Sequence, residues 1–142
     1  IGIPGQNEET IAKDIRLFKK LDLEMVGLGP FISNPNTLLA NYPNGTVAMT
    51  LKTIAITRLL LPRAHIPGTT ALGSIDPRGR EKALQAGANI IMPNVTVGKV
   101  RPLYELYPSK ICVDEEPENC RQCIEGIIHS LGRKVGTGYG HY

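Results

Sequence analysis

The chain has 142 residues, with 16 Lys and Arg against 13 Asp and Glu, 42% hydrophobic residues, 15 Gly, 11 Pro, 3 Cys and no Trp. That composition is globular and excludes the low-hydrophobicity, high-charge regime of disordered chains. The formal charge of +3 is scattered and aromatic residues are few, which argues against nucleic acid as a partner; the longest nearly uncharged run, 54–62, is broken by Arg58 and falls well short of the roughly 20 residues that cross a bilayer, so no membrane segment is expected.

The first residues, Ile1-Gly2-Ile3-Pro4-Gly5, fit neither an initiator methionine nor a secretory signal and read as the end of a strand already under way. From Asn7 the pattern turns to period 3.6. Asn7 can cap, Glu8 and Glu9 suit the positive end of the dipole, and Ile11, Ile15, Phe18 and Leu21 form one stripe, which predicts a helix over 8–21. Residues 24–32 (EMVGLGPFI) are a short apolar run with the character of a strand buried on both faces. Residues 33–46 form a long loop of Pro-Asn and Asn-Gly signals, and 46–61 a helix that is apolar nearly all round and stops at Pro62. A second strand is expected over 68–74 (GTTALGS), then a helix over 77–86 with Asp76 as cap and Pro77 as first residue, ending at Gly87, then a third strand over 88–93 (ANIIMP). This alternation over 1–96 predicts an α/β parallel sheet. Residues 97–142 form an extension: a short helix over 99–106 with Tyr104 and Tyr107 on one face, a loop with Cys112, a helix over 118–131, and a Gly-rich basic tail.

Cys112, Cys120 and Cys123 (C-x7-C-x2-C) are the sharpest local signal, because soft thiolates at that spacing suit an iron-sulfur cluster or zinc. No fourth ligand is evident: His129 lies six residues further along the helix and His141 in the tail, which leaves water or a small ligand. The competing reading is three ordinary reduced thiols. Their odd number argues against a disulfide framework and fits a reducing, cytoplasmic setting. Ile3 to Glu8 join strand to helix through a tight Gly turn that admits a ligand close to the backbone. Thr69, Thr70, Met25 and Met92 sit at strand ends, where hydroxyls can bind a carboxylate and thioethers can line a pocket, although each also fits plain packing. Arg58, His65 and Arg78 have no partner spacing and read as structural or solvent-facing.

Taken together, IGIPGQNEE, EMVGLGPFI-S-NPNTLLAN, GTTALG, ANIIMPN, LYELYPSKIC and the cysteine tail resemble the C-terminal part of the HydE family of [FeFe]-hydrogenase maturases in the radical S-adenosylmethionine (SAM) superfamily. The resemblance implies the C-terminal half of a (β/α)8 TIM-type barrel over 1–96 plus a C-terminal helical extension. It also implies a [4Fe-4S] cluster that cleaves SAM reductively, and a role in assembling the organometallic diiron centre of hydrogenase from a small-molecule or organometallic iron substrate, with hydrogenase maturation proteins as partners. Ile3, Gly5 and Glu8 resemble the I-x-G-x-x-E motif after the fifth strand, whose Ile touches the SAM adenine. Met25 resembles a lumen residue on the cofactor side, and Thr69, Thr70, Met92, Tyr104 and Tyr107 resemble residues around the substrate and its anionic groups. Cys112, Cys120 and Cys123 resemble the ligands of an accessory iron-sulfur cluster, separate from the one that cleaves SAM.

The superfamily's C-x3-C-x2-C motif does not occur in these 142 residues. The expectation is therefore a fragment that needs the N-terminal half of its barrel and generates no 5′-deoxyadenosyl radical alone. Two alternatives stay open: a biotin synthase or methylornithine synthase type of radical SAM enzyme, and a non-catalytic α/β module with a structural metal site.

Overall fold

A computed structural model describes residues 1–138 and 140. Five α-helices follow one another, α1 (Glu8–Lys20), α2 (Val47–Leu60), α3 (Thr70–Ile75), α4 (Gly79–Ala86) and α5 (Pro117–Ser130), with a 3-10 helix over Gly98–Tyr104 before the last. Four extended segments, before α1, between α1 and α2, between α2 and α3, and after α4, lie side by side in chain order. The amino group of Ile1 donates to Gly29 O (2.6 Å) and Phe31 N–H donates to Ile1 O (2.7 Å), the two-residue offset of parallel pairing. Val26 N–H donates to His65 O (2.9 Å) and His65 N–H to Glu24 O (2.7 Å); Asn89 N–H donates to Ile66 O (3.0 Å) and Gly68 N–H to Ile90 O (2.8 Å). The pairing amounts to two isolated parallel bridges, Met25 with His65 and Pro67 with Ile90. No continuous strand forms among the described residues, so the expected strands over 24–32, 68–74 and 88–93 are not present as ladders.

The segment 68–74 needs the larger correction. Its second half is α3, capped by Thr69, whose hydroxyl accepts from Leu72 N–H. The extended piece lies earlier, at 65–68, where Pro67 has no N–H and contributes only its carbonyl side. Asp76 and Pro77 do not open α4 either. Asp76 closes α3, its carboxylate accepts the Arg78 N–H (2.9 Å) and pairs with Lys82, and α4 begins at Gly79. The short helix expected over 99–106 is the 3-10 helix, because Pro102 inside it cannot donate. Tyr107 lies beyond its end, so Tyr104 and Tyr107 do not share a helix face.

The helices form where local chemistry predicts. α1 opens on a reciprocal cap in which the Asn7 side chain accepts from Thr10 N–H (2.9 Å) and the Thr10 hydroxyl accepts from Asn7 N–H (3.0 Å), and it buries Ile11 and Ile15. α2 is less intuitive: its buried face is Thr50, Thr53, Ile54 and Thr57, while Leu59 is exposed. The Thr50 and Thr53 hydroxyls donate to carbonyls four residues back, Thr46 O (2.9 Å) and Met49 O (2.8 Å), so their methyl groups can face the core without leaving a polar group unsatisfied. The core joins α2, α3 and α4 to the extended segments through Val26, Leu28, Ile54, Ile66, Leu72 and Leu84.

Gly79 marks a close approach beside this core, since a Cβ there would collide with the Leu72 carbonyl of α3. Gly79→Ala is expected to cost about 1–3 kcal/mol in urea unfolding, whereas Gly27→Ala, with nothing within 4 Å of its Cβ position, shifts the midpoint little. The Lys82 ammonium beside Asp76, helped by the Arg78 N–H, holds the Asp76 carboxyl below its ordinary range. A lowered folded-state value stabilises the fold above the ordinary aspartate range, and that contribution disappears as pH falls through the folded value. Acid unfolding of Asp76→Asn should therefore lack this part of the pH dependence.

Candidate functional site

The residues after Ile91 turn away from the extended segments and are gathered by Arg101. Its side chain is 1% exposed. Nε donates to Thr96 O (2.6 Å), Nη2 to Asn94 O (2.6 Å) and Nη1 to Cys112 O (3.5 Å). No carboxylate within ion-pairing distance of Arg101 occurs among the described residues. Carbonyl dipoles carry the charge instead, which ties three stretches of irregular chain to one planar group.

Within this frame Cys112 and Cys120 come together. Cys120 is buried on the first turns of α5, and Cys112 sits in the preceding loop at φ +62°. Asn94 N–H donates to Cys120 Sγ (3.3 Å), Asn94 Nδ2 to Cys112 O (3.4 Å), and Arg80 Nη2 approaches Cys112 Sγ at 3.8 Å. Arg80 reaches there by crossing Gly73, where a Cβ would sit 3.4 Å from its Nε. Burial pushes the Cys112 thiol up; the Arg80 guanidinium opposes this, while Glu115 and Cys120 add to it. Glu115 is the third member of the group: one carboxylate oxygen and the two Sγ atoms all lie within 4.8 Å of one another. Its Oε2 is buried and has no hydrogen-bond partner among the described residues. Cys123 is exposed and outside the group, His129 is exposed on α5, and His141 lies outside the described residues. All three cysteines are free thiols.

A cavity of about 220 Å³ opens beside Cys112, lined among others by Thr70, Met92, Asn94, Tyr104 and Lys110. It brings together three of the five expected substrate-side residues. Thr69 instead caps α3, and Tyr107 is half-buried with its phenol bonded to Ser74, burial pushing that phenol up. Ile3 and Met25 are exposed at the ends of their segments. Gly5 is set by backbone conformation, φ +82° with open space around its Cβ position. Glu8 pairs with Lys52 of α2 (2.9 Å), which lowers its carboxyl and braces the start of α1. Arg58 is structural as expected, donating to Gly87 O (2.8 Å) and Pro62 O (2.8 Å).

Arg80, Asn94, Arg101, Lys110 and Glu115 escaped the sequence reading. Only Glu115 left a usable trace there, as the acidic member of C-x2-E-x4-C.

No protein-family model matches the chain. The chain is 49% identical over 140 residues to the [FeFe] hydrogenase maturase subunit HydE of Thermotoga maritima, covering 99% of this chain and 40% of that protein. It is 36% identical over 87 residues to 3-methylornithine synthase of Methanosarcina acetivorans, covering 61% of this chain and 24% of that protein. The chain is thus a homologue of HydE along nearly its whole length, and spans about two-fifths of the length of that relative.

Replacing Arg101 by Met leaves the Asn94, Thr96 and Cys112 carbonyls without their donor. The expected cost is about 2 kcal/mol or more in urea unfolding, with hydrogen exchange accelerating across 94–112 ahead of the helices.

Proposed function

We propose, on the premise of the 49% identity to HydE, that these residues work as part of a HydE-like radical SAM enzyme. The reading assigns 1–96 to the C-terminal half of a (β/α)8 barrel and 97–142 to an extension that carries a metal site. The parallel order of the four extended segments, with a helix after each of the first three, supports the barrel half. In this reading the rest of the barrel supplies the [4Fe-4S] cluster, whose C-x3-C-x2-C ligands are not among these 142 residues. That cluster, when present, supplies the electron that cleaves SAM.

The chain's own residues have the following tasks. Ile3 offers an apolar surface to the adenine, Gly5 sets the turn that lets SAM lie close to the backbone, Glu8 braces α1 through Lys52, and Met25 borders the cofactor. Thr69, Thr70, Met92, Tyr104 and Tyr107 face the substrate region, where Thr70, Met92 and Tyr104 already share a cavity with Lys110 and Cys112. The substrate class is a small-molecule or organometallic iron compound, and the partners are hydrogenase maturation proteins. The exposure of Ile3, Met25 and Met92, apolar side chains on or next to the paired segments, supports a face that the remaining barrel covers.

A methylornithine synthase type of enzyme is the second reading, favoured by the 36% identity over 87 residues. The cysteine tail together with the TTALG and LYELYP segments distinguishes the two readings and favours HydE.

In a complete protein containing these residues, reductive cleavage of SAM to 5′-deoxyadenosine and support of hydrogenase maturation are expected. The 142 residues alone should cleave no SAM. Ile3→Asp in the complete protein should weaken SAM binding about tenfold or more, measured by equilibrium dialysis. Unchanged SAM affinity in that variant would remove Ile3 from the cofactor site, and formation of 3-methylornithine would replace the HydE reading with the second one.

A further inference from the structure

The cavity beside Cys112 has a charge pattern that the substrate-side residues read from the sequence do not account for. Thr70, Met92 and Tyr104 are neutral, and among the described residues that line the cavity Lys110 carries the one charged side chain. Lys110 is half-buried, and its Nζ donates to the backbone oxygen of Tyr104 (2.6 Å), itself a lining residue. A long, flexible side chain is thereby moored at the cavity wall, and the bond uses one of the three donors of its ammonium. No carboxylate within ion-pairing distance of Lys110 occurs among the described residues. The two arginines nearby are committed elsewhere: Arg101 gives its donors to the Thr96, Asn94 and Cys112 carbonyls, and Arg80 approaches Cys112 Sγ.

We propose that Lys110 is a specificity-determining residue of this cavity, whose ammonium selects a small, singly charged anion of the carboxylate class over neutral ligands. The inference rests on the reading of Thr70, Met92 and Tyr104 as the substrate side, and it adds the charge that the substrate must carry there. A single ammonium in one wall with the Thr70, Thr96 and Tyr104 residues matches one negative charge shared by two oxygens, since hydroxyls can donate to the oxygen that the ammonium leaves free. A dianion such as phosphate is better served by guanidinium forks, and both arginines are spent. The volume of about 220 Å³ lies below the roughly 300–1,000 Å³ of sites for drug-sized ligands, so the occupant is a small molecule or one group of it. Met92 offers a polarizable thioether to the rest of the ligand. Because Tyr104 O already holds the ammonium, less side-chain freedom is lost when an anion arrives.

The test uses the complete protein containing these residues, with acetate as the monoanion and acetamide as its neutral isostere, each titrated by saturation-transfer NMR. Acetate should bind more tightly than acetamide. Lys110→Met should lower acetate affinity about tenfold or more, with acetamide affinity, SAM affinity and far-UV circular dichroism unchanged. Lys110→Arg, which keeps the charge, should retain most of the acetate affinity. Equal affinity for acetate and acetamide in the unsubstituted protein overturns the proposal, as does unchanged acetate binding in Lys110→Met. If Lys110→Met loses acetate and acetamide alike, or Lys110→Arg loses acetate as fully as Lys110→Met, the residue holds the Tyr104 backbone without selecting charge and the assignment falls. Should the protein bind acetate through Lys110 but cleave no SAM, the radical SAM reading falls while the assignment of Lys110 stands.

Discussion

His65, Ile66 and Pro67 are held from both sides, and the arrangement of the rest follows from that short stretch. The His65 N–H and carbonyl pair with Glu24 and Val26 on one side, and the Ile66 carbonyl receives Asn89 N–H on the other. The remaining donor, Ile66 N–H, is taken by the Asn89 side chain at 2.8 Å, and Pro67 has none to satisfy. Ile66 is 0% exposed. At that depth an unpaired amide costs about 1–3 kcal/mol, so the two neighbouring segments cannot shift register without exposing a cost at Ile66. This fixes where α2 ends and α3 begins. It delivers Thr69 and Thr70 at one end of the pairing and carries the chain through Ile90 toward Asn94.

Asn94 is where the paired segments pass control to irregular chain. Its N–H, side chain and carbonyl meet Cys120, Cys112 with Thr96, and Arg101 respectively. From 94 to 116 there is only the 3-10 helix to satisfy backbone groups internally, so side chains take over that task. A lysine in place of Arg101 has a single nitrogen and cannot reach three carbonyls in different directions, whereas the guanidinium fork presents its donors in fixed geometry. The extension is thereby attached to the first part of the chain by polar contacts around the cysteines, and by Ile127, Ile128 and Leu131 of α5 packed against the core.

Sequence periodicity carried the helices well, because α1, α2 and α5 each keep their stripe or cap within a few residues of one another: Asn7 before α1, Thr46 before α2, Pro117 at the start of α5. The extended segments were legible as apolar runs but not in their boundaries. GTTALGS looks like a strand since Thr and Leu favour one, yet the Thr69 hydroxyl caps a helix there, and the residues that do pair, His65 to Gly68, are disguised by Pro67. The buried face of α2 was also hidden, because threonines that bond back onto their own helix pass for polar residues in a sequence and pack as apolar ones in the fold. In the site, Cys112 and Cys120 were readable from thiol chemistry. Arg80, Asn94 and Arg101 were not, since a buried arginine that binds carbonyls has no spacing rule, and their roles arise only once loops distant in sequence are placed together.

Cys112 shows why such placement needs support from outside its own loop. A residue with a side chain at φ +62° is in the left-handed region, which costs on the order of 1–3 kcal/mol at positions that lack glycine. Glycine would remove the cost but also the thiol. The strain is tolerated because the neighbouring groups over-determine the position: Arg101 and Asn94 take the Cys112 carbonyl, Arg80 approaches its sulfur, and Ile111 N–H next to it donates to Ser74 Oγ at 3.2 Å. Those four contacts come from α3, α4, the segment after Ile91 and the 3-10 helix, so the sulfur is held by all the elements between the paired segments and α5. A conformation that is costly locally and braced from four directions turns Sγ toward Cys120 and Glu115.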